Sequence, residues 1–415
     1  MRYAWAGLIA AGACCLPATA MAQTDQSVPP GVGAADRLRP AFDPVGARIG
    51  GVFVFPQLDV TSSVTDNVLA TKEDRKSDLI LVTRPSVTVR SDWSRHRLVA
   101  EAFVSQSLHA RLGNEDATQY GASVDGTYDL SRRTAVRVVG EAQHLVLDRT
   151  AYNNVVTARE PIEYERYTGS IGVDQEFNRL AISAGIGASR ADFSDATSYA
   201  GLPIDQDFRD FTQTLFTGGA RYRFGAGPSL IARVQFDRNE YDESPPGLNR
   251  DSKGMKVEGG VAFDLSSLLY GEVRVGYINR KYANPLFENA SGVSFGANML
   301  WNVTPLTSLR FRADRSFQES RSGVAAANLV TQGEAGVDHE LLRYVILTAS
   351  MRYAVIDPLG DLSSSREYGA ALRARYLVDR RVQLNASYQF NKRAGTTLNQ
   401  PFAVSVLSLG IRYTL

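Results

Sequence analysis

The chain has 415 residues, with 45 Lys and Arg against 44 Asp and Glu, 44% hydrophobic residues and 9% aromatic residues. The formal net charge of +1 argues against a nucleic-acid-binding protein, because there is no basic excess to neutralise phosphates. The two cysteines, Cys14 and Cys15, are adjacent, so we expect neither a disulfide framework nor a zinc site, and we find no metal or cofactor motif.

The N-terminus has the features of an exported protein. Residues 1–22 predict a secretory signal peptide, in which a short basic start precedes the apolar run Ala4 to Leu16 and an A-x-A cleavage motif ends at Ala22. A lipoprotein with its lipid on Cys14 is the alternative, but the preceding residues lack the usual leucine. The Pro- and Gly-rich residues 23–50 predict a flexible or loosely docked periplasmic segment.

Residues 51–415 alternate polar and apolar side chains with period two, and no apolar run approaches the ~18 residues of a membrane helix. In Tyr120 to Leu130, for example, the even positions are mostly apolar and the odd positions mostly polar. The pattern predicts about eighteen strands. They start near Gly51, Ser77, His96, Thr118, Thr134, Glu165, Leu180, Arg209, Ser229, Lys253, Leu269, Gly292, Thr307, Asn328, Tyr344, Arg366, Val382 and Phe402. Connections alternate between short and long, which predicts an all-β fold, a transmembrane antiparallel up-and-down β-barrel.

Aromatic residues support a membrane barrel over a soluble sandwich, because they lie near the strand ends on the apolar faces. One set precedes the short turns: Tyr128, Phe177, Phe224, Phe263, Trp301, Tyr376 and Tyr413. A second set lies at the opposite ends: Tyr120, Tyr167, Tyr277, Tyr353, Tyr368 and Phe390. The outward positions between them are interpreted as Ala, Val, Gly and Leu.

The C-terminus resembles the insertion signal that the barrel assembly machinery recognises in outer-membrane proteins. Gly410, Tyr413 and the terminal Leu415 match its glycine, aromatic and hydrophobic positions, although Phe is commoner at the last one. We therefore expect the outer membrane of a Gram-negative bacterium as location, with its lipid and that machinery as partners. An open sheet edge is too costly in hydrocarbon, so the last strand should pair with the first.

A barrel of this width is expected to enclose an aqueous lumen. The predicted lumen-lining residues are charged: Arg137, Glu141, Arg233, Asp237, Lys256, Glu258, Glu272, Arg274, Arg310, Arg312, Glu367, Arg373 and Arg375. Two interpretations remain open, a wall whose opposite charges pair across neighbouring strands, or a field that selects a polyanionic or strongly hydrated solute. The near balance of signs favours the first.

Catalysis is not expected. The chain has four histidines, of which His144 lies on the lipid-facing register, and His96 and His339 lie beside short turns. His109 is near Ser107, but the sequence offers no evident residue to orient it.

The first hairpins resemble the family of outer-membrane proteins known as putative beta-barrel porin 2. The resemblance rests on the T-D-N element at 65–67 and on the segment SDLILVTRPSVTVRSDWSRHRL at 77–98, and it covers nearly the whole mature chain. It implies a conduit for secretion of an exopolysaccharide or capsular polysaccharide, with a polysaccharide chain and a periplasmic export protein as partners. A general or sugar-uptake porin is the alternative within transport. A plugged barrel with partner-binding loops is the alternative of another class.

Overall fold

The computed structural model describes residues 31–415 except 152–153, 155–156, 226, 244–248, 266–267, 321–325, 361–362 and 396–400. The predicted signal peptide, residues 1–22, lies outside the described residues. The described helices are single 3₁₀ turns at Ala34–Asp36, Gly113–Glu115 and Asp207–Arg209. Within the described part of the chain, no helix is long and apolar enough to cross a membrane.

The structure confirms an antiparallel up-and-down barrel of eighteen strands. The strands are β1 (Val52–Thr65), β2 (Asp78–Ser91), β3 (Arg97–His109), β4 (Ala117–Asp129), β5 (Thr134–Val146), β6 (Glu163–Glu176), β7 (Leu180–Phe193), β8 (Phe211–Arg223), β9 (Ser229–Tyr241), β10 (Ser252–Leu265), β11 (Leu269–Tyr282), β12 (Ala290–Thr304), β13 (Thr307–Glu319), β14 (Ala327–Leu342), β15 (Val345–Pro358), β16 (Ser365–Leu377), β17 (Val382–Ala394) and β18 (Phe402–Thr414). Each predicted strand start lies within two residues of the observed one, because the alternation is set by burial on one face only.

The ring closes as predicted. Every strand pairs with its neighbours along the chain, and β18 pairs back with β1 from Thr414 opposite Gln57 to Val406 opposite Thr65. Closure gives every strand two neighbours and so removes the sheet edges that hydrocarbon would leave unsatisfied. A short strand, Ala47–Ile49, pairs only with the start of β1 and is not part of the ring.

The outward face carries the apolar side chains, and the aromatic residues form two rings at its ends. Tyr128 and Phe224, near the short turns, are more than half exposed, as expected of side chains that face lipid. The expectation for the outward positions between the rings was wrong on β8 and β9. Phe216 and Phe236 lie opposite each other there, because a lipid-facing position accepts any apolar side chain.

The part of the N-terminal segment that the structure describes is docked inside the barrel at the short-turn end. Ala34 is fully buried, and its N–H donates to Ser308 Oγ at 2.7 Å. Of the two forms that the sequence left open, a flexible or a loosely docked segment, residues 31–43 are described as docked. The boundaries predicted for the signal peptide and for this segment stay predictions.

Candidate functional site: the lumen and its two mouths

The thirteen predicted lumen residues all lie on the register opposite to the exposed apolar side chains. On β13, for example, Arg310 and Arg312 alternate with Leu309 and Phe311, and the apolar pair is exposed at 37% and 40%. The fold and the inward register of these residues therefore agree with a charged inner wall. Contact between these residues and a solute remains a prediction.

Ion pairs run mainly between strands, as the first interpretation of the wall expects. On one side of the ring Arg137 pairs with Asp174 at 2.6 Å, and Arg233 reaches across β10 to Glu272 at 2.9 Å. Asp237 accepts from Arg280 at 2.6 Å. The wall satisfies much of its own charge, which leaves less of it to select ions.

Glu258 is the centre of a buried polar group on the wall. Its carboxylate lies 3.1 Å from Lys256 Nζ and 3.0 Å from Arg274 Nε, and it also accepts from the Ser294 hydroxyl. A carboxylate this buried is stable only when paired and hydrogen-bonded. A Cβ on Gly260 would overlap the carbonyl oxygen of a neighbouring strand, so the close approach of β10 and β11 here requires glycine.

A ladder of alternating charge follows the opposite side of the ring from β13 to β17. Arg312 is opposite Glu334, and Glu334 is opposite Arg352. Arg352 then pairs with Glu367 at 3.3 Å, and Glu367 pairs with Arg393 at 2.5 Å. Glu367 thus uses partners other than Arg373 and Arg375, the two cations with which it was grouped from the sequence.

Residues 31–46, which we call the strap, lie in the short-turn mouth. Starting beside Phe55 of β1, the strap passes Glu340 of β14, to which Arg39 is paired at 2.8 Å. Arg375 of β16 donates to the carbonyl oxygen of Ala35 at 2.7 Å. The strap ends near β12, where Asn302 donates to the carbonyl oxygen of Val32 at 3.2 Å. Its contacts therefore follow the inside of the wall along one side of the ring, from β1 to β12.

The long-loop mouth is narrowed by residues 147–162, which we call the mouth loop. Arg149 forms a two-pronged ion pair with Glu115 at 2.9 and 2.7 Å, both side chains being buried. The carbonyl oxygen of Thr150 accepts from Arg393 at 2.6 Å. Arg393 lies on β17, which β18 and β1 to β4 separate from β5, so this contact is a chord across the mouth.

A small apolar core fixes the mouth loop to the wall. Its buried members come from the loop and from β7: Leu147, Ala158, Ile162, Ala191 and Phe193. The N–H of Phe193 donates to the carboxylate of Asp210 at 2.6 Å, and burial raises the pKa of Asp210 to about 6. Beside it, Arg250 is almost fully buried and donates to the carbonyl oxygen of Ser320 at 2.8 Å, and burial lowers its pKa to about 10.

Three carboxylates, Asp195, Asp205 and Asp207, lie within 4.8 Å of one another on the exposed surface of the loop between β7 and β8. Repulsion, chiefly from Asp195, raises the pKa of Asp207. Backbone N–H groups of Gln206 and Asp207 donate to Asp195 and Asp205. The described residues give the group no other mark of a metal site.

The histidines do not form a nucleophilic pair with Ser107. His109 does have an orienting partner that sequence reasoning missed, since Asp116 lies 3.2 Å from its Nδ1. The Ser107 hydroxyl, however, donates to the carbonyl oxygen of Ala117 at 3.2 Å. His144 stacks on Tyr120 with the ring centroids 4.8 Å apart, on the lipid-facing register as expected.

The residues of the predicted insertion signal end the last strand. Tyr413 is on the outward face and 41% exposed, and the N–H of Leu415 donates to the carbonyl oxygen of Pro56 at 3.1 Å. Gly410 is opposite Thr61, whose hydroxyl a Cβ would meet. Recognition by the assembly machinery stays a prediction.

Sequence reasoning missed the residues that narrow the lumen. Arg393 is on the inward register of its strand and could have been found from the alternation. Arg39, Glu115 and Arg149 lie outside the strands, where no periodicity marks a side chain that points into the lumen.

Several solved structures of low sequence identity align with most of this chain. Pseudomonas aeruginosa OccK2 (OpdF) aligns at 10% identity and a TM-score of 0.48, covering 88% of this chain and 97% of that one. Acinetobacter baumannii OccAB2 aligns at 10% identity and a TM-score of 0.48, covering 89% and 99%. Pseudomonas aeruginosa OpdL aligns at 9% identity and a TM-score of 0.46, covering 88% and 99%.

No curated protein matches the chain in sequence. A family model does match, and it spans residues 39–415, from within the strap to the last residue. This agrees with the closed ring, the outward aromatic rings and the charged lumen. The chain belongs to the family described as putative beta-barrel porin 2 and is an outer-membrane β-barrel porin.

Proposed function

We propose that this porin is a passive diffusion channel that admits small hydrophilic solutes across the outer membrane. The lumen wall is lined with paired charges and amides, a surface that water and small polar solutes wet readily. The ladder from Arg312 to Arg393 and the group around Glu258 put both signs on the wall, which favours neutral or zwitterionic solutes over one ion class.

The observation that carries the proposal is the chord that the mouth loop makes across the extracellular mouth. Thr150 reaches Arg393 while Arg149 is anchored on Glu115, so the loop is held on both sides of the opening. The strap occupies part of the periplasmic mouth, where it is held from Phe55 to Ser308. Small solutes can pass beside such segments.

Secretion of a polysaccharide, which the family resemblance implied, has less support. An extended polymer would need the strap and the mouth loop to move aside together. The mouth loop is anchored by a buried ion pair and an apolar core, both costly to break. Polysaccharide export and its periplasmic partner therefore stay a prediction.

An uncharged stripe of four amides and one hydroxyl suits sugars as one class of solute. On β17 the inward side chains are Gln383, Asn385, Ser387, Gln389 and Asn391. Gln383 donates to Asn385 at 2.6 Å, so the amides are already aligned along the strand. Amide and hydroxyl groups exchange hydrogen bonds with sugar hydroxyls and with water equally well.

Planar-bilayer conductance and liposome swelling with a graded series of sugars test the proposal. We expect small conductance steps and permeation that falls steeply beyond the smallest sugars. A silent protein in every condition would support a plugged scaffold. In a deletion strain, lost secretion of a polysaccharide with unchanged sugar uptake would support export instead.

A further inference from the structure

Water reaches the charges of the lumen wall to different degrees on its two sides. On β10 and β11, Glu258 and Arg274 are buried and paired with each other at 3.0 Å. The upper half of β13 lies over the inner face of these strands, where the carbonyl oxygen of Arg315 accepts from Lys256 at 3.4 Å. The buried pair is therefore screened from a solute in the lumen.

Exposed charges of both signs lie side by side on β13 to β15. Arg312, Glu334 and Arg352 are directly opposite one another in the sheet, with Glu334 between the two arginines. All three side chains are exposed and have the inward register. We call these three residues the charged rung.

Two members of the charged rung have no side-chain partner among the described residues. Arg312 and Glu334 form no ion pair or side-chain hydrogen bond with any of them, although Cβ atoms directly opposite each other are about 4.5–5.5 Å apart. Asp314, two residues from Arg312 on β13, accepts instead from Gln332 at 3.0 Å. A cation and an anion on neighbouring strands therefore remain available to a solute.

The third member of the charged rung shares its partner with another cation. Arg352 pairs with Glu367 at 3.3 Å, and Glu367 also pairs with Arg393 at 2.5 Å. Because Arg393 by itself holds that carboxylate, Arg352 can turn toward a solute without leaving Glu367 unpaired. The side chain of Arg352 is 49% exposed, so water and solutes reach it.

The charged rung lies just below a narrow level of the channel. Pairing between β12 and β13 ends with Gly296 opposite Asp314, two residues beyond Arg312. Above that level β13 lies inside the ring and takes up part of the lumen. A solute that passes the narrow level from the extracellular side meets the charged rung next.

We propose that the charged rung binds zwitterions of the α-amino acid class as they pass through the lumen. Glu334 accepts hydrogen bonds from the ammonium group, and Arg312 donates to both oxygens of the carboxylate. A simple ion satisfies one of these two groups and a neutral solute satisfies neither, whereas the zwitterion satisfies both. Exposure to water keeps the binding weak, as passage requires. This inference rests on the proposed diffusion channel and names one class of its solutes.

Liposome swelling with two solutes of similar size and shape tests the proposal. L-alanine is a zwitterion, and lactamide is a neutral molecule with the same carbon skeleton. We expect the parent protein to admit alanine severalfold faster than lactamide. The double variant Arg312→Gln/Glu334→Gln should abolish this preference, because it removes both charges that the zwitterion uses. Heat-modifiable migration on gels checks that each variant is folded.

The matched control is Arg84→Gln/Glu101→Gln, which removes a cation and an anion from inward positions on β2 and β3. These two side chains already pair with each other at 3.2 Å, so the preference for alanine should persist. An unchanged preference in the rung variant, or an equal loss in the control, would overturn the proposal. A parent protein that gives no swelling with either solute would contradict the diffusion channel itself.

Reversal potentials in a KCl gradient give a second readout, which a merely structural role of the rung would not produce. Glu334→Gln should shift selectivity toward chloride and Arg312→Gln toward potassium, because each variant leaves the opposite charge alone. The swapped variant Arg312→Glu/Glu334→Arg keeps both signs and should keep the preference for alanine. Shifts in the same direction, or a folded swapped variant without the preference, would contradict the site.

Discussion

The two mouths of the barrel are narrowed in different ways. The strap joins the barrel at β1, and its contacts beyond Phe55 are single hydrogen bonds, the pair of Arg39 with Glu340, the ring contact of Phe42 with Tyr344 and the burial of the small Ala34. The mouth loop is attached to strands at both ends and contains a buried ion pair between Arg149 and Glu115 as well as an apolar core.

This difference indicates which constriction can move. Releasing the strap breaks several hydrogen bonds that water can replace, each of a net value of about 1 kcal/mol. Releasing the mouth loop exposes Ile162 and Phe193 to water and separates a buried pair, costs that water does not offset. The periplasmic mouth should therefore be the adjustable one, and the extracellular mouth should set the size limit.

Removal of the strap should have the largest effect. Deleting residues 31–45 should raise single-channel conductance severalfold, because it removes the segment that lies in the periplasmic mouth and leaves the ring intact. The milder variant Arg39→Gln, which removes only the pair with Glu340, should give brief openings to the same level. If the deletion left conductance unchanged, the strap would not limit flow and the comparison between the mouths would fail.

Breaking the buried pair of the mouth loop should have the next largest effect. Arg149→Met leaves Glu115 buried without its partner, which costs about 3–5 kcal/mol of loop packing. We expect protease cleavage within residues 147–162 and permeation by larger sugars in liposome swelling. The double variant Arg149→Met/Glu115→Gln removes the uncompensated charge and should recover most of the size limit. Equal permeation in Arg149→Met and the parent protein would show that the loop is held by its core alone.

The smallest effect should come from pH. Asp210 accepts a hydrogen bond from Phe193, a member of the core that fixes the mouth loop. Burial raises the pKa of Asp210 to about 6 from its ordinary 3.8. Between these two pH values Asp210 is therefore protonated when the core is packed and ionised when it is exposed. Stability of the closed mouth is therefore greatest below this window, falls as the pH rises through it, and is level above it.

Bilayer recordings should thus show more frequent channel opening at pH 7 than at pH 4. Asp210→Asn should remove most of this slope of opening frequency against pH. Asp379→Asn is a matched control in a periplasmic turn, where backbone N–H groups of Arg381 and Val382 lower the pKa of the native carboxyl. It should leave the slope unchanged. A slope that persisted in Asp210→Asn would assign the effect to another group.

The sequence by itself determined the barrel, its strand count, its closure and the side on which each strand residue lies. A strand in a membrane wall has lipid on one face and water on the other, so side chains alternate with a period of two along the strands from β1 to β18. The same signal put Arg137, Glu258 and Glu367 on the lumen wall.

Only the tertiary structure decided which segments lie in the two mouths. The strap and the mouth loop depend on contacts between residues far apart in the chain, such as Ala34 with Ser308 and Thr150 with Arg393. Loop residues carry no periodicity, and a strand that leaves its neighbour keeps the same alternation as one that stays paired. These features follow from the packing of the whole ring, which no local pattern encodes.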